Sequence, residues 1–151
     1  MAEPRTTEEL IQLIRQGVLF GGGTAIEGPE GIEFIATLLT ETASEEFVTV
    51  MVDQAGDETE YPGVGGFREA LNDWITPYER FRLEIDEVVP YDDRLVFFVR
   101  QVGTTKHGGV EIETSSGAVW DLADGYITRA SFYIDPDHAR RHAGGDPDSR
   151  F

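Results

Sequence analysis

The feature that most restricts what this chain can fold into is a change of hydrophobic period at Arg80. From there on, apolar residues recur at every second position. Phe81, Leu83 and Ile85 alternate with Arg80, Arg82, Glu84 and Asp86, the pattern of a strand with one buried face. Tyr91-Asp92-Asp93 turns the chain into Leu95 to Val99, which is apolar on both faces. Thr104 to Gly109 is a second turn. Val110 and Ile112 then alternate with Glu111 and Glu113, and the strand runs on through Ala118, Trp120 and Leu122. Asp124-Gly125 signals a tight hairpin into Tyr126 to Ile134. Four strands joined by hairpin-length turns specify a mainly antiparallel sheet. A doubly wound sheet, which would alternate strands and helices, is excluded.

Upstream the period is helical. Thr6-Thr7-Glu8-Glu9 supplies a capping box before Leu10, Ile11 and Ile14, and Gly17 ends that helix. Gly21 to Gly23 read as a loop. A second helix starts at Pro29 and carries Ile32, Ile35, Leu38 and Leu39 on one stripe. Phe47 to Val52 is rich in β-branched residues and reads as a strand. A glycine-rich turn, Gly63 to Gly66, leads into a third helix with Phe67, Ala70, Leu71, Trp74 and Ile75 inward, limited by Pro77. Asp135-Pro136 opens a short terminal helix through His142. The expected fold class is therefore α+β: a curved, mainly antiparallel sheet wrapped around three helices. One domain spans residues 1–144, with 145–151 a polar tail.

Charge narrows the partners. The 151 residues carry 29 acidic and 12 basic side chains, a net charge of −17, and the first 62 hold 13 of the acids and only 2 of the bases. Such a field repels nucleic acid and anionic membrane surfaces, so neither is expected as a partner. No run is apolar enough for a spanning helix and no secretory signal is visible. With no cysteine there is no disulfide, thiolate metal site or thiol nucleophile. A cytoplasmic protein is the plain expectation.

The stretch from Gly63 to Gly144 resembles the SnoaL-like branch of the nuclear transport factor 2-like superfamily. The resembling pieces are Gly66 to Trp74, Asp93-Arg94-Leu95-Val96, Gly109 to Glu113, Val119 to Arg129 and Tyr133-Ile134-Asp135, in the right order and spacing. The resemblance implies a cone with an apolar pocket at its open end, commonly in homodimers. It also implies a range of activities: ketosteroid isomerases, polyketide cyclases, epoxide hydrolases of the limonene type, and non-catalytic modules. Fold alone does not choose among them.

The positions that would carry those chemistries are mostly vacant of acids. If Trp120 is the aromatic of the penultimate strand, the key acid position of the isomerases and cyclases is Ala118, which can neither donate a hydrogen bond nor exchange a proton. The inward acid of the epoxide hydrolases falls at Phe132, and their Arg and Asp pair falls near Phe98 and Arg100. The isomerase general base matches Asp53, which equally reads as a solvated turn residue before Gln54-Ala55-Gly56. Tyr78 or Arg100 would be its polarising partner. Arg100 either enters the cone to meet a ligand carboxylate or carbonyl, or forms a salt bridge to a helix Glu or Asp. Trp74, Tyr78, Trp120 and Phe132 form an aromatic wall or plain core, and the pocket is expected between Trp74, Phe98, Ala118, Trp120 and Phe132. His138 and His142 stand four apart, but no third ligand accompanies them, so no metal is expected; His107 reads as an exposed loop residue. No cofactor is implied.

By parity, Phe97, Val99, Val119, Ile127 and Tyr133 would point away from the helices and form an apolar patch, which implies a two-fold homodimer through the outer sheet face. The leading reading is a protein that binds a small apolar or aromatic molecule, with no reaction assignable. The alternatives are an isomerase, cyclase-like or epoxide hydrolase-like enzyme using Asp53 as general base, and a purely structural dimerisation module with a solid cone.

Overall fold

The period-two half of the chain becomes four strands in the computed structural model, which describes residues 6, 8–10, 12, 25–91 and 93–142. These are β4 (Tyr78–Tyr91), β5 (Arg94–Thr105), β6 (Glu111–Ala123) and β7 (Tyr126–Tyr133). They follow β1 (Ala25–Glu27), α1 (Gly28–Thr42), β2 (Ala43–Val52), β3 (Glu58–Pro62) and α2 (Gly63–Ile75), and α3 (Pro136–His142) closes the order. The seven strands form one sheet in the order β1-β4-β5-β6-β7-β2-β3. All neighbours are antiparallel except β2 and β7. That single parallel pair brings β2, made before α2, back beside the last strand.

Local chemistry accounts for the elements. The Thr6 and Glu9 pair is a reciprocal cap: the Glu9 amide donates to the Thr6 hydroxyl at 3.1 Å, and the Thr6 amide to the Glu9 carboxylate at 3.3 Å. Residues 8–10 and 12 are helical and Leu10 is buried; Ile11, Ile14, Gly17, the Gly21–Gly23 loop and the 145–151 tail lie outside the described residues. Asp124 and Gly125 both take positive φ, 54° and 83°, the backbone of a type I′ hairpin. Gly63 to Gly66 are not a turn ahead of α2 but its first turn. Gly66 must be glycine there, because a Cβ would lie 2.5 Å from the Tyr61 carbonyl carbon. The two short strands β1 and β3 escaped the sequence reading: β3 is an exposed, charge-rich edge strand, Glu58-Thr59-Glu60-Tyr61-Pro62, where burial leaves no periodic signal.

The helices α1 and α2 fill the concave side of the sheet. Ile35, Leu39, Phe67 and Leu71 pack there against Phe47, Leu95 and Trp120. The convex side carries α3, whose Ala139 is buried with Val50, Val52, Val119 and Tyr133. Gly117 permits this approach, since a Cβ would come within 2.8 Å of the Ala139 Cβ. The Tyr133 hydroxyl hydrogen-bonds the His142 Nδ1, and the His142 Nε2 lies 3.2 Å from Asp121, itself paired with Arg94 at 2.8 Å. Burial, aided by the charge of Glu58, pushes the Tyr133 hydroxyl up to about 12, so it stays a neutral hydrogen-bonding group. His138 turns instead to Asp135, 3.8 Å away, and the two histidines do not converge on one point. Among the described residues no helix is long and apolar enough to cross a membrane.

Sheet parity departs from expectation in two places. On β5 it is Leu95, Phe97 and Val99 that face the helices, so Phe98 and Arg100 face outward. The error arose because Leu95 to Val99 is apolar on both faces, with helices above and below, and such a run carries no parity signal. On β7 a register shift opposite Asp121 and Leu122 adds one residue, and Ile127 lands inside with Ala130 and Phe132. Three of the five residues expected in the outer apolar patch are therefore inside, and the other two, Val119 and Tyr133, lie under α3.

Candidate functional site

Where the tips of α1 and α2 meet the inner faces of β4, β5, β6 and β7, the core leaves a hollow of about 60 Å³. The start of α1 contributes Gly28, Gly31 and Ile32, and α2 contributes Phe67, Leu71 and Trp74. Inward residues of β4 and β5 follow: Phe81, Leu83, Ile85, Phe97 and Val99. The rear wall is Ser116, Ala118 and Trp120 of β6 with Phe132 of β7. The rings interlock around it, Phe97 and Trp120 with centroids 5.0 Å apart, Trp74 and Phe132 6.1 Å, and Trp120 and Phe132 6.5 Å. Such spacings are those of tilted aromatic pairs that stabilise beyond their buried area.

Of the five residues expected to line a pocket, Trp74, Ala118, Trp120 and Phe132 border this hollow. Phe98 does not, and Phe97 takes its place, one position away, for the parity reason already given. No lining side chain is titratable. Correcting the one-residue slip on β5 puts Phe97 and Val99 at the inward positions, so the slip hides no acid. The surface open to the hollow is almost wholly apolar, although two lining residues carry polar atoms sealed behind it. The Trp120 Nε1 and the Ser116 Oγ are buried and have no hydrogen-bond partner. A buried donor left unmatched costs about 1–3 kcal/mol, so such groups call for a physical reason. Ser116 was overlooked in the sequence, although it shares strand parity with Ala118 and Trp120.

The three expected catalytic side chains are not brought together. Asp53 directly follows β2 as an exposed turn residue; its Oδ1 accepts the amides of Ala55 at 2.9 Å and Asp57 at 3.0 Å, the bonding of an Asx turn. It does border a second, more open hollow of about 270 Å³, with Asp57, Asp73, Tyr61 and Tyr133 around it. Trp74 and Phe132 belong to both hollows and form the partition between them. Tyr78 lies over Gly103, where a Cβ would meet its ring at 2.4 Å, and packs on Phe81 with centroids 5.5 Å apart. Arg100 lies on the outer face, 2.8 Å from Glu84, 3.0 Å from Asp86 and 3.3 Å from Glu113. Hydrogen bonds to Asp86 and Glu113, with the charges of Asp86 and Glu84, raise its already high pKa. The guanidinium is thus committed to carboxylates of the neighbouring strands rather than to the cone. Neither hollow's lining holds two of these three residues. Among the described residues no group of three or more His, Asp or Glu is placed to hold a metal ion.

Comparison with known proteins agrees with this geometry at the level of fold. No protein-family model matches the chain, and no curated protein matches it in sequence. Solved structures do match it. A nuclear transport factor 2-like protein of unknown function from Burkholderia pseudomallei superposes with a TM-score of 0.61 at 13% identity, covering 90% of this chain and 97% of its own. A protein of Jannaschia sp. CCS1 named as a SnoaL-like polyketide cyclase gives 0.59 at 14% identity, over 87% and 90%. A Catenulispora acidiphila protein with a ketosteroid isomerase-like fold, in complex with trimethylamine, gives 0.56 at 14%, over 97% and 100%.

Proposed function

With the nuclear transport factor 2-like cone as its fold, we propose that this chain is a small-molecule-binding protein that holds a compact apolar ligand between Trp74, Ala118, Trp120 and Phe132 and performs no proton transfer on it. The observation that carries this reading is the lining itself, in which no side chain can act as acid or base. Asp53 as a general base has less support, because its Oδ1 is engaged by two turn amides and neither Tyr78 nor Arg100 borders its hollow. Size sets the ligand class. At roughly 10–15 Å³ per water-sized group, the hollow of about 60 Å³ takes about four to six heavy atoms. A polyketide would need the partition of Trp74 and Phe132 to swing aside.

Xenon tests the cavity without assuming a ligand, because dry apolar hollows bind it. Under xenon pressure, methyl resonances of Ile32, Leu71, Ile85 and Val99 are expected to shift saturably, while Val50 and Val119 on the convex face stay still. Methyl shifts that rise without saturation, or rise alike on both faces, would remove the pocket and favour the solid-cone reading.

A homodimer through the outer sheet face is a separate proposal, now restricted to the half not covered by α3, where Phe98 stands beside the charged cluster around Arg100. Sedimentation velocity at micromolar concentration yielding a monomer would dispose of it.

A further inference from the structure

The second, more open hollow differs in kind from the apolar one. It lies between the β2–β3 hairpin, the C-terminal half of α2 and the end of β7, with a volume of about 270 Å³. Tyr61, Trp74 and Phe132 border it, and so do three aspartates, Asp53, Asp57 and Asp73. All three aspartates are exposed, and part of the surface open to this hollow is polar, so a molecule seated there can reach them. No Lys, Arg or His lines it. Among the described residues none of the three aspartates forms an ion pair. Surface acids on a chain of net charge −17 would signify little alone, but these share a concave site with aromatic residues. We propose that the outer hollow is a second binding site, separate from the apolar one, for a small organic cation bearing an alkylated ammonium group.

The walls select that class. Carboxylates with no cation among them attract a positive charge and repel an anion. A metal ion is poorly served, because it needs oxygens converging at bonding distance. Among the described residues no three acidic or histidine side chains are so placed. An alkylated ammonium needs no such convergence: its charge is spread over methyl groups, which lie against aromatic rings while the carboxylates balance the charge. Asp53 can do this and still hold its turn, since the Ala55 and Asp57 amides both engage Oδ1. Size agrees. Choline exceeds what the inner hollow of about 60 Å³ can hold, and fits the outer one.

The test compares choline with 3,3-dimethylbutan-1-ol, the same shape with carbon in place of the charged nitrogen. Ionic strength is held at about 0.15 M to screen the net field. The chain has two methionines, so methyl spectra show two Met signals, which Met51→Leu assigns; Met51 borders the outer hollow and not the inner. Choline is expected to move the Met51 methyl saturably, to leave Ile32 and Val99 of the inner hollow still, and to bind about tenfold or more tighter than the alcohol. Asp53→Asn with Asp73→Asn keeps the turn acceptor, and should weaken choline about tenfold while leaving the alcohol unchanged. Glu30→Gln with Glu111→Gln removes two charges that do not line the hollow, and should weaken choline less than about twofold. Equal affinity for the two probes would overturn the cation, and a Met51 methyl unmoved by choline would remove the site. Equal losses in the two double variants would assign binding to net charge, and displacement of choline by Ca²⁺ at the same ionic strength would make this a metal site; either overturns the proposal. Should the aspartate variant fail to fold, the choline-to-alcohol ratio of the wild type decides alone. A negative xenon result would remove the inner pocket and leave this site standing.

Discussion

Ala118→Val tests the hollow through stability as well as binding. Ala118 is 3% exposed and stands on the rear wall. Cavity volume is destabilising at roughly 24 cal/mol per Å³, so complete filling of about 60 Å³ is worth about 1.4 kcal/mol. Two added methyl groups fill part of it, and valine suits a strand. The expected result is a gain of about 0.5–1.4 kcal/mol in urea unfolding at unchanged m-value. At about 2–4 °C per kcal/mol for a domain of this size, Tm rises by about 1–6 °C, and xenon binding is lost. Ala130→Val is the contrast. Ala130 is equally buried in the same core but borders neither hollow, so overpacking should lose about 1–3 kcal/mol. If Ala118→Val is destabilised as much as Ala130→Val, the space beside Ala118 is not there, and both the pocket and the ligand class inferred from it fail.

Other outcomes follow from single contacts. Gly66→Ala should lose about 1–3 kcal/mol or more in chemical denaturation, because the clash is with the rigid Tyr61 backbone at 2.5 Å; a neutral result would mean α2 does not seat on β3. Burial pushes the Asp121 carboxyl up, but hydrogen bonds with His142 and Arg94 outweigh it and hold its pKa below the usual value. The unfolded chain therefore takes up that proton first, so this stabilisation is complete above about pH 5 and declines as pH falls through about 4 and lower. Asp121→Asn should be less stable than wild type at pH 7, with the gap narrowing as pH falls below about 4; parallel pH profiles would show the pairing to be inert. Arg100→Met leaves Glu84, Asp86 and Glu113 without their shared cation, so a stability loss that shrinks with added salt is expected, with xenon affinity unchanged. A loss of affinity would place Arg100 in the binding site after all.

Much of this protein was legible along the chain, for reasons that are local. A period of two over residues 81–86, helical stripes over Ile32 to Leu39 and Phe67 to Ile75, a Thr6–Glu9 cap and an Asp124-Gly125 hairpin are each specified by neighbours within a few residues. Those pieces, with their order, sufficed for the α+β class and the wrapped sheet, and for which face Trp74, Ala118, Trp120 and Phe132 turn to the hollow. Tertiary structure decided what depends on contacts made across the fold. Which face of Leu95 to Val99 looks inward was undecidable locally, because α1 and α2 lie on one side and α3 on the other, and both demand apolar residues. One extra residue in β7 moved Ile127 inside. Arg100 found its carboxylates on adjacent strands rather than a ligand in the cone. The lone indole donor of Trp120 emerged only when every neighbour that might have satisfied it was placed around it.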